Sequence, residues 1–482
     1  MAMKPIFGQL SVSQLYCRPG LPLGVNNLAP RSGFIRKQSS NSAAQTSTAI
    51  PPSTSFGQSK SSLYQQHPLT ILPLPNLLRS YLVATVSSSK ILLPPCLSIL
   101  SFLAHSRYPW LNPDHNTVLR WVLKQTFYSH FCGGETTREL QQTVTGLKEI
   151  GYKGVILAYA KEVVLGIDQV QDNEDVSVKQ ALSAWKEGTL KTVEMAEKGD
   201  FVALKFTGAG RLALDHLIDN SPMPPALENA TIEICDLAVA RGVRLAFDAE
   251  QQALQTGIDS WTLDFQKRYN PSASNKATVY GTYQAYLKST PATLANHLAA
   301  AVEKDFTLGA KLVRGAYLAS EPRNIIWSTK EETDQAYDGM IDSLIKRRYG
   351  TTMPSALGAG GNFPKVNLMV ATHNQESVRK ARKACTEAED KDIEIVYAQL
   401  MGMADEVSCE LLQAPALSDE TEKAHIPQAY KYLVWGTTGE CVKYLLRRAE
   451  ENRHAMGRTK LDQRALGAEI FRRMGAAVGL AR

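Results

Sequence analysis

The stretch from Lys311 to Arg323, KLVRGAYLASEPR, starts like a buried strand, yet Lys311 and Arg314 flank its first two apolar residues, and Gly315, Ala316 and Tyr317 follow. A buried cation is costly unless an acid or an anionic ligand neutralises it, so the pattern points to one or the other. Chemically loaded residues close other apolar runs in the same way. Lys205 ends FVALK, Asp248 and Glu250 follow VRLAF, and Gln284 ends TVYGTYQ. His373 and Asn374 stand in ATHN, Gln399 ends IEIVYAQ, and Tyr432 lies within AYKYLVW. A helical run, YLLRRAEEN, then sets Arg447 beside Arg448, about 100° apart around a helix, with Glu451 within ion-pairing reach of both. Singly, each group fits a structural role, as a satisfied strand-end polar residue or a solvated helix face. Together they suit bidentate capture of a carboxylate or phosphate.

Such residues need elements to converge them. Eight strand-like runs occur: KGVILAYA, FVALKFT, VRLAFDAE, TVYGTYQ, AKLVRGA, VNLMVAT, IEIVYAQ and AYKYLVW. Between them lie helical patterns such as SVKQALSAWKEGTLKTVEMAEKG, ENATIEICDLAVARG, TPATLANHLAAAVEKDF and ESVRKARKACTEAED. Parallel strands need crossover helices, so the alternation predicts an α/β fold, a (β/α)8 TIM-like barrel with additional N-terminal helices. In a barrel the C-terminal strand ends form the active face, where the loaded residues fall. An open doubly wound sheet is the competing reading. Its one local support is Gly208-Ala209-Gly210 with Ala213, the outline of a dinucleotide fingerprint and hence of a nicotinamide dehydrogenase. Against it, Lys205 sits in the preceding strand, where such folds place apolar residues. The ALGAGGN run, Ala356 to Asn362, has no strand before it and reads as a surface-loop insertion.

Among 482 residues, nine Lys or Arg but no Asp or Glu precede Asp114, leaving 44 basic against 47 acidic groups in the rest. The basic balance therefore belongs to the N-terminal segment, and the body makes no electrostatic case for nucleic acid. Residues 1–60, acid-free and Arg-bearing, read as a mitochondrial transit peptide or, more blandly, an unstructured leader. Residues 61–150 form a predicted N-terminal helical segment open to membrane association. Within it the apolar stretch Leu77 to Ser106 is interrupted by Arg79 and Lys90 and broken at Pro94-Pro95, which predicts two short amphipathic helices and no span. The seven cysteines form no C-x-x-C pair and suggest a reduced compartment, with neither a disulfide framework nor a metal site.

The segments VALKFT, LAFDAEQ, YQAYLK, KLVRGAYLASE, ATHN, YAQLMGM and YLLRRAEEN, in this order, resemble the proline dehydrogenase (proline oxidase) family, of the mitochondrial, monofunctional type. The resemblance implies a distorted (β/α)8 barrel over residues 151–482 that binds FAD and oxidises L-proline to Δ1-pyrroline-5-carboxylate. Hydride passes to flavin N5, with no catalytic side chain beyond the flavin, and electrons go on to ubiquinone. It implies peripheral association with the matrix side of the mitochondrial inner membrane. By the same resemblance Lys205, Arg447 and Arg448 hold the proline carboxylate, Asp248 and Glu451 support those cations, and Leu312, Tyr317, Tyr432 and Tyr444 shape the pocket. The flavin contacts would be Gln284, Lys311, Val313, Gly315, His373 and Gln399. Where animal members resemble YVPYG, this chain has YLVWG, Tyr432 to Gly436. A barrel protein that keeps the flavin without turnover is the alternative of a different class.

Overall fold

Strict alternation of inward and outward side chains on short apolar runs closes the sheet of this chain into a barrel. The computed structural model describes residues 67–105, 108–160, 176–318, 320–358, 361–389, 393–417, 426–442, 444–446 and 456–479. The leader, residues 1–60, lies outside them, as do Arg447, Arg448 and Glu451. Strands β2 (Gly154–Tyr159), β3 (Phe201–Leu204), β4 (Arg244–Phe247), β5 (Val279–Gln284), β6 (Leu308–Val313), β7 (Val366–Ala371), β8 (Ile395–Leu400) and β9 (Gln428–Trp435) each pair in parallel with the next. β9 also pairs with β2, which closes the ring. A short β1 (Cys132–Gly134) adds to the far end of β9, with Cys132 opposite Val434. All eight predicted strands are present, and the doubly wound alternative is excluded by closure.

The helices over the barrel follow the predicted alternation. After α1 (Leu74–Ser88), α2 (Leu93–His105), α3 (Thr117–Leu123) and α4 (Thr137–Ile150), the crossovers are α5 (Val176–Met195), the pair α6 (Arg211–Ile218) and α7 (Pro225–Arg241), α8 (Gln252–Tyr269), α9 (Thr290–Glu303), α10 (Lys330–Ile345), α11 (Gln375–Glu387) and α12 (Asp405–Leu417). A helix over 438–442 and 444–446 follows β9, and α13 (Met456–Ala477) ends the described chain. Local chemistry fixes their starts: Thr329 and Glu332 form a reciprocal capping box on α10, and Asn374 accepts from the backbone of Glu376 and Ser377 to begin α11. Gly208 and Ala209 lie in a 3-10 turn between β3 and α6, so the glycine run serves a βα turn of the barrel.

Outward residues such as Leu157, Leu245, Leu312 and Leu368 are fully buried between sheet and helices. Inward residues including Ile156, Ala203, Ala246, Met369 and Tyr430 fill the barrel. Its N-terminal end is plugged by Phe201, stacked edge-on against Tyr280 and Tyr430. Arg244 lies 3.8 Å from the Phe201 ring centre and pairs with Glu394 at 2.7 Å. That floor leaves the C-terminal end as the open, polar one.

α1 and α2 are the two short helices expected over Leu77 to Ser106, bent by 98°, and no single described helix is long and apolar enough to cross a membrane. The break falls at Ser89, whose hydroxyl accepts from Ile91 and Leu92, and not at the prolines. Pro94 and Pro95 sit in the first turn of α2, where a missing N–H costs no hydrogen bond.

Candidate active site

Register converges the loaded residues. Leu204, Phe247, Gly281 and Ala310 are opposite one another on β3 to β6. The next residue on each strand is therefore Lys205, Asp248, Thr282 and Lys311, one row of side chains turned into the mouth. Lys311 is 5% exposed, and its ammonium donates to Asp248 Oδ1, while Tyr432 from β9 donates to Asp248 Oδ2 at 2.8 Å. The same ammonium stands 5.2 Å from the Tyr432 ring centre. One buried carboxylate thus neutralises Lys311 and fixes Tyr432 across the barrel.

Lys205 lies among four oxygen-bearing neighbours. Burial alone would push its ammonium down, but Tyr317, Tyr432, Asp248 and Glu250 outweigh that and hold it above the ordinary lysine range. Its backbone carbonyl accepts from the Trp185 indole at 2.9 Å, which ties the end of β3 to α5. Glu250, 3% exposed, accepts from both the backbone and the hydroxyl of Thr207. Burial lifts its carboxyl above the usual range, with Lys205 pulling it back. The Tyr317 hydroxyl meets Lys205 from the turn after β6, and burial raises its pKa. Tyr444 is buried in the same cluster as the barrel interior, with Tyr432 packed against it.

A second shelf lies at the ends of β5, β7 and β8. Gln284, 3% exposed, donates to Glu250 O at 3.0 Å and accepts from Ala316 N at 3.1 Å, so it clamps the turn that carries Gly315. His373 Nε2 accepts from Leu400 N at 3.1 Å. Thr282 Oγ1 is buried and has no hydrogen-bond partner among the described residues.

The Pro_dh family model, described as proline dehydrogenase, matches residues 140–461. The chain belongs to the proline dehydrogenase family. It is 30% identical over 405 residues to the probable mitochondrial proline dehydrogenase of Schizosaccharomyces pombe, covering 73% of this chain and 80% of that one. It is 26% identical over 410 residues to hydroxyproline dehydrogenase of Rattus norvegicus, covering 73% and 83%. The fold matches proline utilization A from Bdellovibrio bacteriovorus, a structure inactivated by N-propargylglycine, with a TM-score of 0.57 at 14% identity, over 77% of this chain and 38% of that longer one.

Of the residues that resemblance to the proline dehydrogenase family implied, the structure gathers Lys205, Asp248, Tyr317, Tyr432, Tyr444, Gln284 and Lys311 around one mouth. Leu312 is a correction. Adjacent to inward Lys311, it must point outward, and it is fully buried against Tyr337 and Val370 in the sheet–helix core, so it cannot touch a ligand in the barrel. Gln399 also faces away from the interior, donating to Thr372 O at 3.3 Å and accepting from Ser408 at 3.1 Å. Its side chain braces β7 against β8. Val313 alternates back inward beside Gln284. Gly315 has φ +144°, and a Cβ there would lie 2.1 Å from a Tyr286 ring carbon, so the close approach it permits is to that ring. Arg314 is neutralised from outside the barrel by Asp334 of α10, with Ser377 accepting at 2.7 Å. In YLVWG, Trp435 packs outward, 5.0 Å from Tyr159, and donates to Thr192 at 3.0 Å, whereas Val434 shares the inward face of β9 with Tyr432 and lies in the buried cluster that holds Tyr444. Thr282 was missed in the sequence; its place two residues before Gln284, on the same strand face, was the available signal.

Proposed function

We propose that this chain is an FAD-dependent proline dehydrogenase that oxidises L-proline to Δ1-pyrroline-5-carboxylate in mitochondria and passes the electrons to a quinone in the inner membrane, on its matrix side. The observation that carries the reading is the row Lys205, Asp248, Thr282 and Lys311 at the open end of a family-matched barrel, with two tyrosines over it. The domain plan is a leader over 1–60, a helical segment over 61–150 and the barrel over 151–482.

The residues present fit a flavin. Thr282 offers an unspent buried hydroxyl, Lys311 a buried cation, and Gln284, Val313, Gly315 and His373 a continuous shelf along β5, β6 and β7. Gln399 would serve this shelf by holding Thr372 in place. When bound, FAD would supply the hydride acceptor. The chain's own residues do the rest. Lys205, kept protonated by its four neighbours, binds the substrate carboxylate, joined by Arg447 and Arg448, with Glu451 supporting them. Asp248 pairs with Lys311 and holds the Tyr432 hydroxyl, so that the Tyr432 ring, with Tyr317 and Tyr444, walls the pyrrolidine and excludes water. The surplus positive charge favours loss of the proline ammonium proton, which exposes the lone pair that drives hydride departure.

Lys205→Met tests the assignment. Anaerobic mixing with L-proline should show retained flavin and a half-saturating proline concentration raised at least about tenfold, the loss of one charge-assisted contact. An unchanged proline dependence would remove Lys205 from the site.

A further inference from the structure

Large apolar side chains are exposed singly on most of the molecule, as at Ile218, Val239 and Ile426, but they gather on the N-terminal helices and α13. On α1, Leu74, Leu78 and Leu82 recur every four residues on the exposed face, while Leu77, Ser80 and Ala84 are buried. α2 and α3 expose Ile99, Phe102, Val118 and Trp121, with Trp110 between them. On α13, Leu461, Phe471 and Met474 do the same, and Val478 is exposed just beyond its end. Leu82, Trp121 and Phe471 are 65%, 63% and 72% exposed, far more than a folded chain leaves to water in one region without use.

Charge says what covers them. Lys460, Arg464 and Arg472 are exposed on α13, and Lys90 is exposed in the turn between α1 and α2. The first described acid, Asp114, is spent on Gly439 N and Thr437, and Glu469 is buried between Arg472 and Arg473. Apolar helix faces with aromatic residues and a basic fringe are the makeup of segments that lie in the interface of an anionic bilayer. The inner side of α2 and α3 decides the orientation: Leu100 and Leu123 pack on Val442 and Leu446 of the helix after β9, the helix that carries Tyr444 into the site.

We propose that the outer faces of α1, α2, α3 and α13 form a docking surface for an anionic lipid bilayer, and that this surface turns the mouth of the barrel towards the bilayer. It rests on the membrane-quinone reading above and gives it an address that extends beyond Leu77 to Ser106 to the far end of the chain. A quinone confined to the bilayer then reaches the site from the side of the helix that follows β9.

The full chain should float with vesicles of phosphatidylcholine mixed with cardiolipin and bind phosphatidylcholine alone more weakly. The triple variant Leu82→Glu, Phe102→Glu, Trp121→Glu should lose about tenfold or more of that partition, with quinone turnover falling alongside and proline oxidation by a soluble dye unchanged. The double variant Ile218→Glu, Val239→Glu should behave as wild type. Equal flotation of wild type and triple variant overturns the proposal, as does failure of the wild type to bind. So does a wild-type dimer in lipid-free buffer that the triple variant dissolves, because the occupant is then a second copy. If the triple variant loses dye activity, Phe102→Glu alone replaces it with the same expected direction. Absence of dye activity in the wild type would strike the proline-oxidising reading and leave flotation to judge the surface.

Discussion

At Asp248 a single carboxylate accepts from Lys311 and Tyr432, two residues that approach from opposite sides of the mouth. Asp248→Ala strands a buried ammonium, so urea unfolding should show a loss of about 3–5 kcal/mol. Tyr432→Phe removes one hydrogen bond and should cost about 1 kcal/mol. Equal losses would mean that Asp248 acts only through Tyr432. Thr282→Val replaces a desolvated hydroxyl by its apolar isostere. The flavin-free protein should melt at the same or a higher temperature, while FAD dissociates faster; slower or unchanged FAD release would separate Thr282 from the cofactor. These residues differed in how far the sequence disclosed them. Lys205, Asp248 and Lys311 were legible because charges recur at the end of one apolar run after another, although each alone fits a structural role. Thr282 was not, since threonine is an ordinary strand residue and only register reveals its neighbours. Leu312 was misplaced because sequence resemblance carries over a position without the side chain's direction, and next to an inward lysine on a strand that direction is outward.

The strands were the most legible elements, each being four to eight residues long, rich in Val, Ile and aromatics, and separated by a helical period. The turns that aim the site were less so. Nothing in GAY announces that Gly315 lies against the Tyr286 ring, a contact between residues 29 positions apart that exists only once β5 and β6 pair. Gly315→Ala combines that collision with a positive φ, and should lower stability by about 1–3 kcal/mol. Because Ala316 N is held by Gln284 in the same turn, the variant should also bind proline more weakly. A melting temperature and proline dependence equal to wild type would show that the turn can relax without cost. Arg314, ambiguous as a sequence feature, is resolved by α10: Asp334 reaches it because the Thr329 capping box fixes where that helix begins.

The N-terminal helices, the barrel and α13 are joined by polar contacts that a sequence scan for apolar periodicity passes over. Ser80 of α1 donates to Asp405 at 2.8 Å, and Asp405 pairs with buried Lys431 of β9 at 3.2 Å. Beside them His130 is 6% exposed, and burial depresses its pKa to about 4 despite the nearby Asp405 carboxylate. A histidine whose folded value lies below its unfolded 6.5 contributes stability that is full above 6.5 and is lost as the pH falls from there to about 4. Relative to His130→Asn, the wild type should lose about 3 kcal/mol across that window, read from urea midpoints at successive pH values. A pH-independent difference would mean that His130 titrates normally. At the scale of the whole molecule the central claim is that this barrel mouth oxidises proline with a bound flavin. It is tested most directly by adding L-proline anaerobically to the purified full chain and following the flavin absorbance. Stoichiometric bleaching, reversed by a quinone, is the predicted result; a flavin band that persists in excess L-proline, or a protein that purifies without flavin and binds none, would contradict it.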